Sequence, residues 1–137
     1  RLYQAGQPQL AADLMRRLLW WGDAMPYWGD SLAANCIDYR RDTPLQCTFD
    51  GTTAAQCIIF GTFGVNVRPN GDIVVRPHQL PFASHMSLDG LKIRGHSFQV
   101  EVNGPTYQIR TRDQSFHSTL GTAAVFLAAS GTFASEE

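Results

Sequence analysis

The sequence predicts an α+β chain in which N-terminal helices are followed by an antiparallel β-sandwich, and three observations carry that expectation. Apolar residues recur at intervals of three and four over residues 8–20, and a second stretch near residue 54 is apolar almost all round. Beyond residue 66 the pattern changes to alternation interrupted by turn dipeptides. The change divides the chain into a helical part, residues 1–65, and a strand part, residues 66–137.

Pro8 suits the first turn of a helix, where its missing N–H leaves no bond unmade. Leu10, Leu14 and Leu18, with Ala11, Met15 and Leu19, then place one apolar face on residues 8–20. Glycine, proline and aspartate in WGDAMPYWGD end that pattern, and SLAANCIDYR predicts one or two further helical turns capped by Asp30 or Ser31. Pro44 disfavours helix at Thr43, and Asp50-Gly51 reads as a turn. Thr52 or Thr53 then caps a helix through Ala54, Ala55, Cys57, Ile58, Ile59 and Phe60. A helix without a polar face needs cover on every side, and residues 1–65 are too few to supply it.

The strand part opens on Arg68-Pro69-Asn70-Gly71-Asp72, a strong turn, followed by the alternating IVVRP. SLDG precedes LKIRG, and in HSFQVEV the residues Phe98, Val100 and Val102 alternate with Ser97, Gln99 and Glu101. Asn103-Gly104-Pro105 turns the chain into TYQIRTR. Short antiparallel strands follow, with one buried face and one wet face. The end, TAAVFLAASGTFASEE, reads equally as strand or helix before a loose terminus.

A chain of 137 residues makes one ordinary domain or two small subdomains, and is too short for most complete glycosidase or dehydrogenase folds. Eleven basic and twelve acidic residues, a formal charge of -1, provide no electrostatic footprint for nucleic acid or an anionic membrane. No apolar run approaches the roughly 18 residues of a membrane span. Arg1 opens the chain without a methionine or leader pattern, so the start reads as processed or truncated. Cys36, Cys47 and Cys57 match no zinc or redox spacing and read as small buried apolar side chains. His78, His85, His96 and His117 lack ligand spacing, so no metal is expected. No GxGxxG, P-loop or GxSxG is present, and no cofactor is expected.

Residues 20–50 concentrate Trp20, Trp21, Tyr27, Trp28 and Tyr39 among Asp23, Asp30, Asn35, Asp38, Arg40, Arg41, Asp42 and Asp50. Sugar rings stack their C–H faces on aromatic rings, while their hydroxyls seek carboxylates, amides and guanidinium groups. Carbohydrate is the ligand this mixture points to. The same tryptophans also serve as core anchors elsewhere, and the same aspartates as caps and turn residues. Glycoside hydrolysis needs two carboxylates facing one cleft. Asp23, Asp30, Asp38, Asp42 and Asp50 are the candidates, but glutamate is almost missing from the chain, with Glu101 in a strand pattern and Glu136 and Glu137 at the tail, so a complete acid/base pair is not expected here.

The order of parts resembles a known architecture. WWGDAMPYWGDSLAANCIDYRRDTPLQCTFDGTTAAQCIIFGTFGV, then RPNGDIVVRPH, then LKIRGHSFQVEVNGPTYQIR, resembles the C-terminal end of six-hairpin, (α/α)6-barrel glycoside hydrolases. In that family the last inner helix leaves through a glycine-rich exit, matched here by GTFGV at residues 61–65, and enters an antiparallel β-sandwich. The resemblance implies that residues 53–63 are the twelfth, inner barrel helix, with residues 39–50 approaching the sugar. Tyr39, Arg40, Arg41, Gln46 and Asp50 would then contact substrate hydroxyls, and Trp28 would be a stacking platform. The acid and base of many such enzymes sit on earlier hairpins, so the catalytic residues are not expected in this chain. The implied partners are carbohydrate and the remaining helices of the barrel, in the same or another chain. A soluble protein is expected, with the bacterial periplasm or the exterior as candidate locations. Two other readings stand beside this one: a stand-alone glycan-binding β-sandwich module and a structural interaction domain.

Overall fold

The computed structural model describes residues 2–24 and 48–137. The expectations for the helical turns at 31–40 and for Thr43-Pro44, and the cysteines Cys36 and Cys47, lie outside the described residues.

Helix α1 spans Pro8–Ala24 and starts at the proline, the Ala11 amide donating to the Gln7 carbonyl at 3.0 Å. It runs through Gly22 and Asp23, past the end that the sequence predicts. On its wet side Asp13 accepts from Arg16 at 3.0 Å and from Arg17 at 2.8 Å. Its apolar arc is divided. Ala11, Ala12 and Met15 are buried, with Met15 packing in a small cluster with Leu80, Leu18, Ile58, Ala83 and Met86. Leu10, Leu14, Leu19 and Trp20 remain 41 to 56% exposed.

Helix α2 spans Thr48–Gln56 and widens into a π-helical segment, Cys57–Thr62, marked by the Phe63 amide donating to the Ile58 carbonyl at 2.9 Å. Asp50-Gly51 therefore lies inside the helix, not in a turn before a cap at Thr52 or Thr53. One interior glycine costs a helix only about 1 kcal/mol relative to alanine, a local preference that tertiary packing readily overrides. Thr62 and Phe63 at the C-terminal end are buried, whereas Phe60 is exposed, and Cys57 is exposed too, not the buried small side chain expected from the sequence.

Among the described residues the strands form two four-stranded antiparallel sheets. The first has the order β1 (Val65–Val67), β2 (Ile73–Val75), β7 (Ala123–Leu127), β8 (Thr132–Glu136). The second is the meander β3 (His85–Ile93), β4 (His96–Asn103), β5 (Thr106–Arg110), β6 (Ser115–Thr119), inserted between β2 and β7. The core lies between the sheets: Val65, Ile73, Val75, Ala124 and Phe126 face Phe98, Val100, Val102, Tyr107 and Ile109. Phe98 and Phe126 meet edge to face, with ring centroids 5.3 Å apart.

Turns place these strands as their chemistry dictates. Arg94 and Gly95 both have positive φ, 50° and 84°, as a two-residue I′ hairpin requires, and pair Ile93 with His96. SLDG does not end a strand: the register of β3 shifts between Leu88 and Leu91, so Asp89-Gly90 is a bulge within one long strand. The C-terminal ambiguity resolves into β7 and β8. The Nη2 group of Arg68 also donates to both Glu136 carboxylate oxygens, at 2.6 and 2.7 Å, so the last strand is tied to the far edge of its sheet, not loose.

The helical and strand segments meet through a backbone bracket. The His78 amide donates to the Thr62 carbonyl at 2.8 Å, and the Arg76 amide to the Gly64 carbonyl at 3.2 Å. Gly64 has φ +60°, and a Cβ placed there would lie 2.0 Å from the Arg76 carbonyl oxygen. Left-handed backbone costs a non-glycine residue roughly 1–2 kcal/mol, and here the overlap adds to it. Gly64→Ala is therefore expected to lose more than about 3 kcal/mol or to fail to fold, measured by urea denaturation. Gly61→Ala, whose added methyl would meet only the Tyr3 ring at 3.9 Å, is expected to be neutral or slightly stabilising in the same assay.

Candidate functional site

A cleft of about 620 Å³ opens beside this bracket, where the end of the π-helical segment overhangs the outer face of the first sheet. Strand alternation creates its floor. Val65, Ile73 and Val75 point into the core, so Asn66 and Val74, register partners, project from the opposite face together with Arg76. Tyr3 and His78 stand on one side, and Phe60, 61% exposed, is also part of the lining.

Tyr3 and His78 stack face to face, with centroids 4.1 Å apart and planes 10° from parallel. Burial pushes the His78 imidazole below its ordinary value, and the Arg76 charge acts in the same direction, so the ring is held neutral. Burial pushes the Tyr3 phenol up, with the neighbouring Thr62 hydroxyl opposing the shift. The Tyr3 and Thr62 hydroxyls are both buried and lack a partner at full hydrogen-bond geometry, so their contact falls short of a directed bond. The cleft thus presents a neutral imidazole, a guanidinium, an amide and aromatic carbon to one volume.

A second, shallower groove of about 400 Å³ lies on the outer face of the second sheet. Cross-strand pairing aligns Ser87, Glu101, Gln108 and His117 in one row. Glu101 accepts from Asn103 at 3.1 Å, and His85 lies 2.6 Å from the Asn103 side-chain oxygen. Arg110 donates to Gln108 at 2.7 Å and lies 3.8 Å from Glu101.

Of the predicted substrate contacts, Trp28, Tyr39, Arg40, Arg41 and Gln46 lie outside the described residues. Asp50 is in the first turn of α2. The cleft residues Tyr3, Phe60, Asn66 and Arg76 were not marked by the sequence. RPH after IVV was their one available signal, a cation and an imidazole leaving a strand edge. Of the four histidines, His85 is hydrogen-bonded, His96 packs its ring 4.8 Å from Phe126, and His78 is stacked. Among the described residues no cluster of three histidine, cysteine, aspartate or glutamate side chains is arranged to hold a metal ion, and no helix is long and apolar enough to cross a membrane. No protein-family model, curated protein or solved structure matches the chain.

The depressed His78 pKa has a definite sign. As pH falls below the unfolded imidazole value of about 6.5, the unfolded chain takes up a proton that the folded chain resists, so stability falls toward the folded pKa. Urea denaturation is expected to give lower stability at pH 5 than at pH 7.5, with the difference reduced in His78→Gln.

Proposed function

We propose that this chain is the C-terminal part of a glycoside hydrolase acting on glycosidic bonds of an oligo- or polysaccharide, where it contributes the closing helical hairpin of an (α/α)6 barrel, contacts at the substrate rim and a β-sandwich. The observation that carries this reading is the divided apolar arc of α1. One part, Ala11, Ala12 and Met15, is buried, while Leu10 and Leu14 stand half exposed and Phe60 on the next helix is 61% exposed. A helix apolar over so wide an arc, with one part covered, fits an element between a β-sandwich and further helices. The direct passage from a helix through GTFGV into the first sheet supports the same architecture.

In this reading Tyr39, Arg40, Arg41, Gln46 and Asp50 hold substrate hydroxyls, Trp28 stacks on a sugar ring, and the acid and base come from hairpins outside this chain. A second reading, a stand-alone glycan-binding module, draws on the polar row across Glu101, Gln108 and His117. The third, a structural interaction domain, predicts the exposed leucines without any sugar affinity.

Gel filtration, dye binding and oligosaccharide hydrolysis separate these. The isolated chain is expected to self-associate, to bind an apolar dye and to hydrolyse nothing, and Leu10→Gln with Leu14→Gln is expected to reduce the association. A longer polypeptide carrying the preceding hairpins is expected to hydrolyse an oligosaccharide, with Arg40→Ala or Trp28→Ala lowering kcat/KM by about tenfold or more. A monomeric isolated chain that binds no dye would sink the barrel reading.

A further inference from the structure

We propose that the cleft between the π-helical segment and the first sheet is a binding site for a carboxylate-bearing sugar, a hexuronate unit. The site is built from residues other than the rim contacts named above, and its assignment rests on the carbohydrate reading only for the sugar part of the ligand.

The argument starts from charge. Arg76 lies among the groups lining the cleft, and among the described residues no carboxylate lies within ion-pair distance of it. Among the described residues its guanidinium makes one hydrogen bond, a long contact to the Gly121 carbonyl at 3.4 Å. Glu136, an acid that feels the Arg76 charge, already accepts from Arg68 through both carboxylate oxygens. A guanidinium with unused donors at a concave wall favours a planar carboxylate, which it grips through two parallel bonds. His78 is held neutral, so it adds no second charge and presents one donor or one acceptor to a hydroxyl.

Shape supplies the rest. Phe60 offers an exposed aromatic surface suited to the C–H face of a pyranose, and Asn66 an amide for ring hydroxyls. The volume of about 620 Å³ falls within the range of small-molecule sites, roughly 300–1,000 Å³, and exceeds what a bare inorganic anion needs. One cation, one neutral imidazole, the amides of Asn66 and Gln4, and the Phe60 ring face together specify a monoanion with hydroxyls and an apolar side. A hexuronate has those features.

Saturation-transfer difference NMR on the full chain, with methyl glucuronoside, methyl glucoside and acetate, tests this and tolerates self-association. The glucuronoside is expected to bind with a Kd on the order of 1 mM, at least about tenfold tighter than the glucoside, and acetate to compete poorly. Arg76→Gln is expected to remove the preference for the glucuronoside at unchanged Tm, and Phe60→Ala to weaken both sugars together. Equal binding of the two sugars, or undiminished glucuronoside binding in Arg76→Gln, overturns the uronate assignment while leaving carbohydrate binding intact. Full displacement by equimolar acetate reduces the cleft to an anion site and overturns it as well. Absence of any sugar signal overturns the site alone, because the barrel reading is decided separately by hydrolysis in the longer polypeptide.

Discussion

The structure depends on a close backbone approach at Gly64. There the chain leaves its helical conformation and immediately bonds to the segment that follows β2, with Thr62 and Gly64 accepting from His78 and Arg76. Only a residue without a Cβ fits, because the Arg76 carbonyl occupies the space a side chain would need. This contact sets the height and angle at which the π-helical segment stands over the first sheet. The cleft, the Tyr3–His78 stack and the burial of Phe63 in the sandwich core all follow from it.

The sandwich provides a rigid base for that junction. Its two sheets interdigitate through aromatic and β-branched side chains, and Tyr107, though buried in the core, donates to the Thr122 carbonyl at 2.9 Å. That bond ties the meander to the crossover that returns the chain to β7. A buried phenol satisfied in this way avoids the cost of about 1–3 kcal/mol of an unpaired polar group. Tyr3 and Thr62 contrast with it: their hydroxyls are buried beside each other without a well-formed bond, at the one place where helix, N-terminal turn and sheet converge.

Much of the fold is legible in the residues because one-sided burial writes itself into the sequence. The alternation of HSFQVEV appears as β4, with Phe98, Val100 and Val102 buried, and Asn103-Gly104-Pro105 makes the next turn through Gly104 and Pro105. The C-terminal AAVF is ambiguous for a physical reason: β7 is a central strand whose Ala123, Ala124, Val125 and Phe126 are all buried, so two-sided cover erases the period. Asp50-Gly51 misleads because turn chemistry is a local preference, and α2 extends across it. The cleft is nearly illegible. Tyr3 and His78 are far apart in the chain, and nothing in the pattern around either residue encodes a stack between them.

The sequence by itself determined the class of elements and their order, helices first and antiparallel strands after, because hydrophobic period and turn residues are local quantities. The need for glycine at position 64 in GTFGV, by contrast, comes from the close approach of the Arg76 carbonyl and is a tertiary fact. Only the tertiary structure decided which part of the α1 arc is covered, where the terminal strands sit in their sheet, and that a tyrosine, a histidine and an arginine share one cleft. Those outcomes depend on which surfaces meet across long sequence separations, and a meeting of that kind is set by packing and backbone geometry, not by any neighbouring residue.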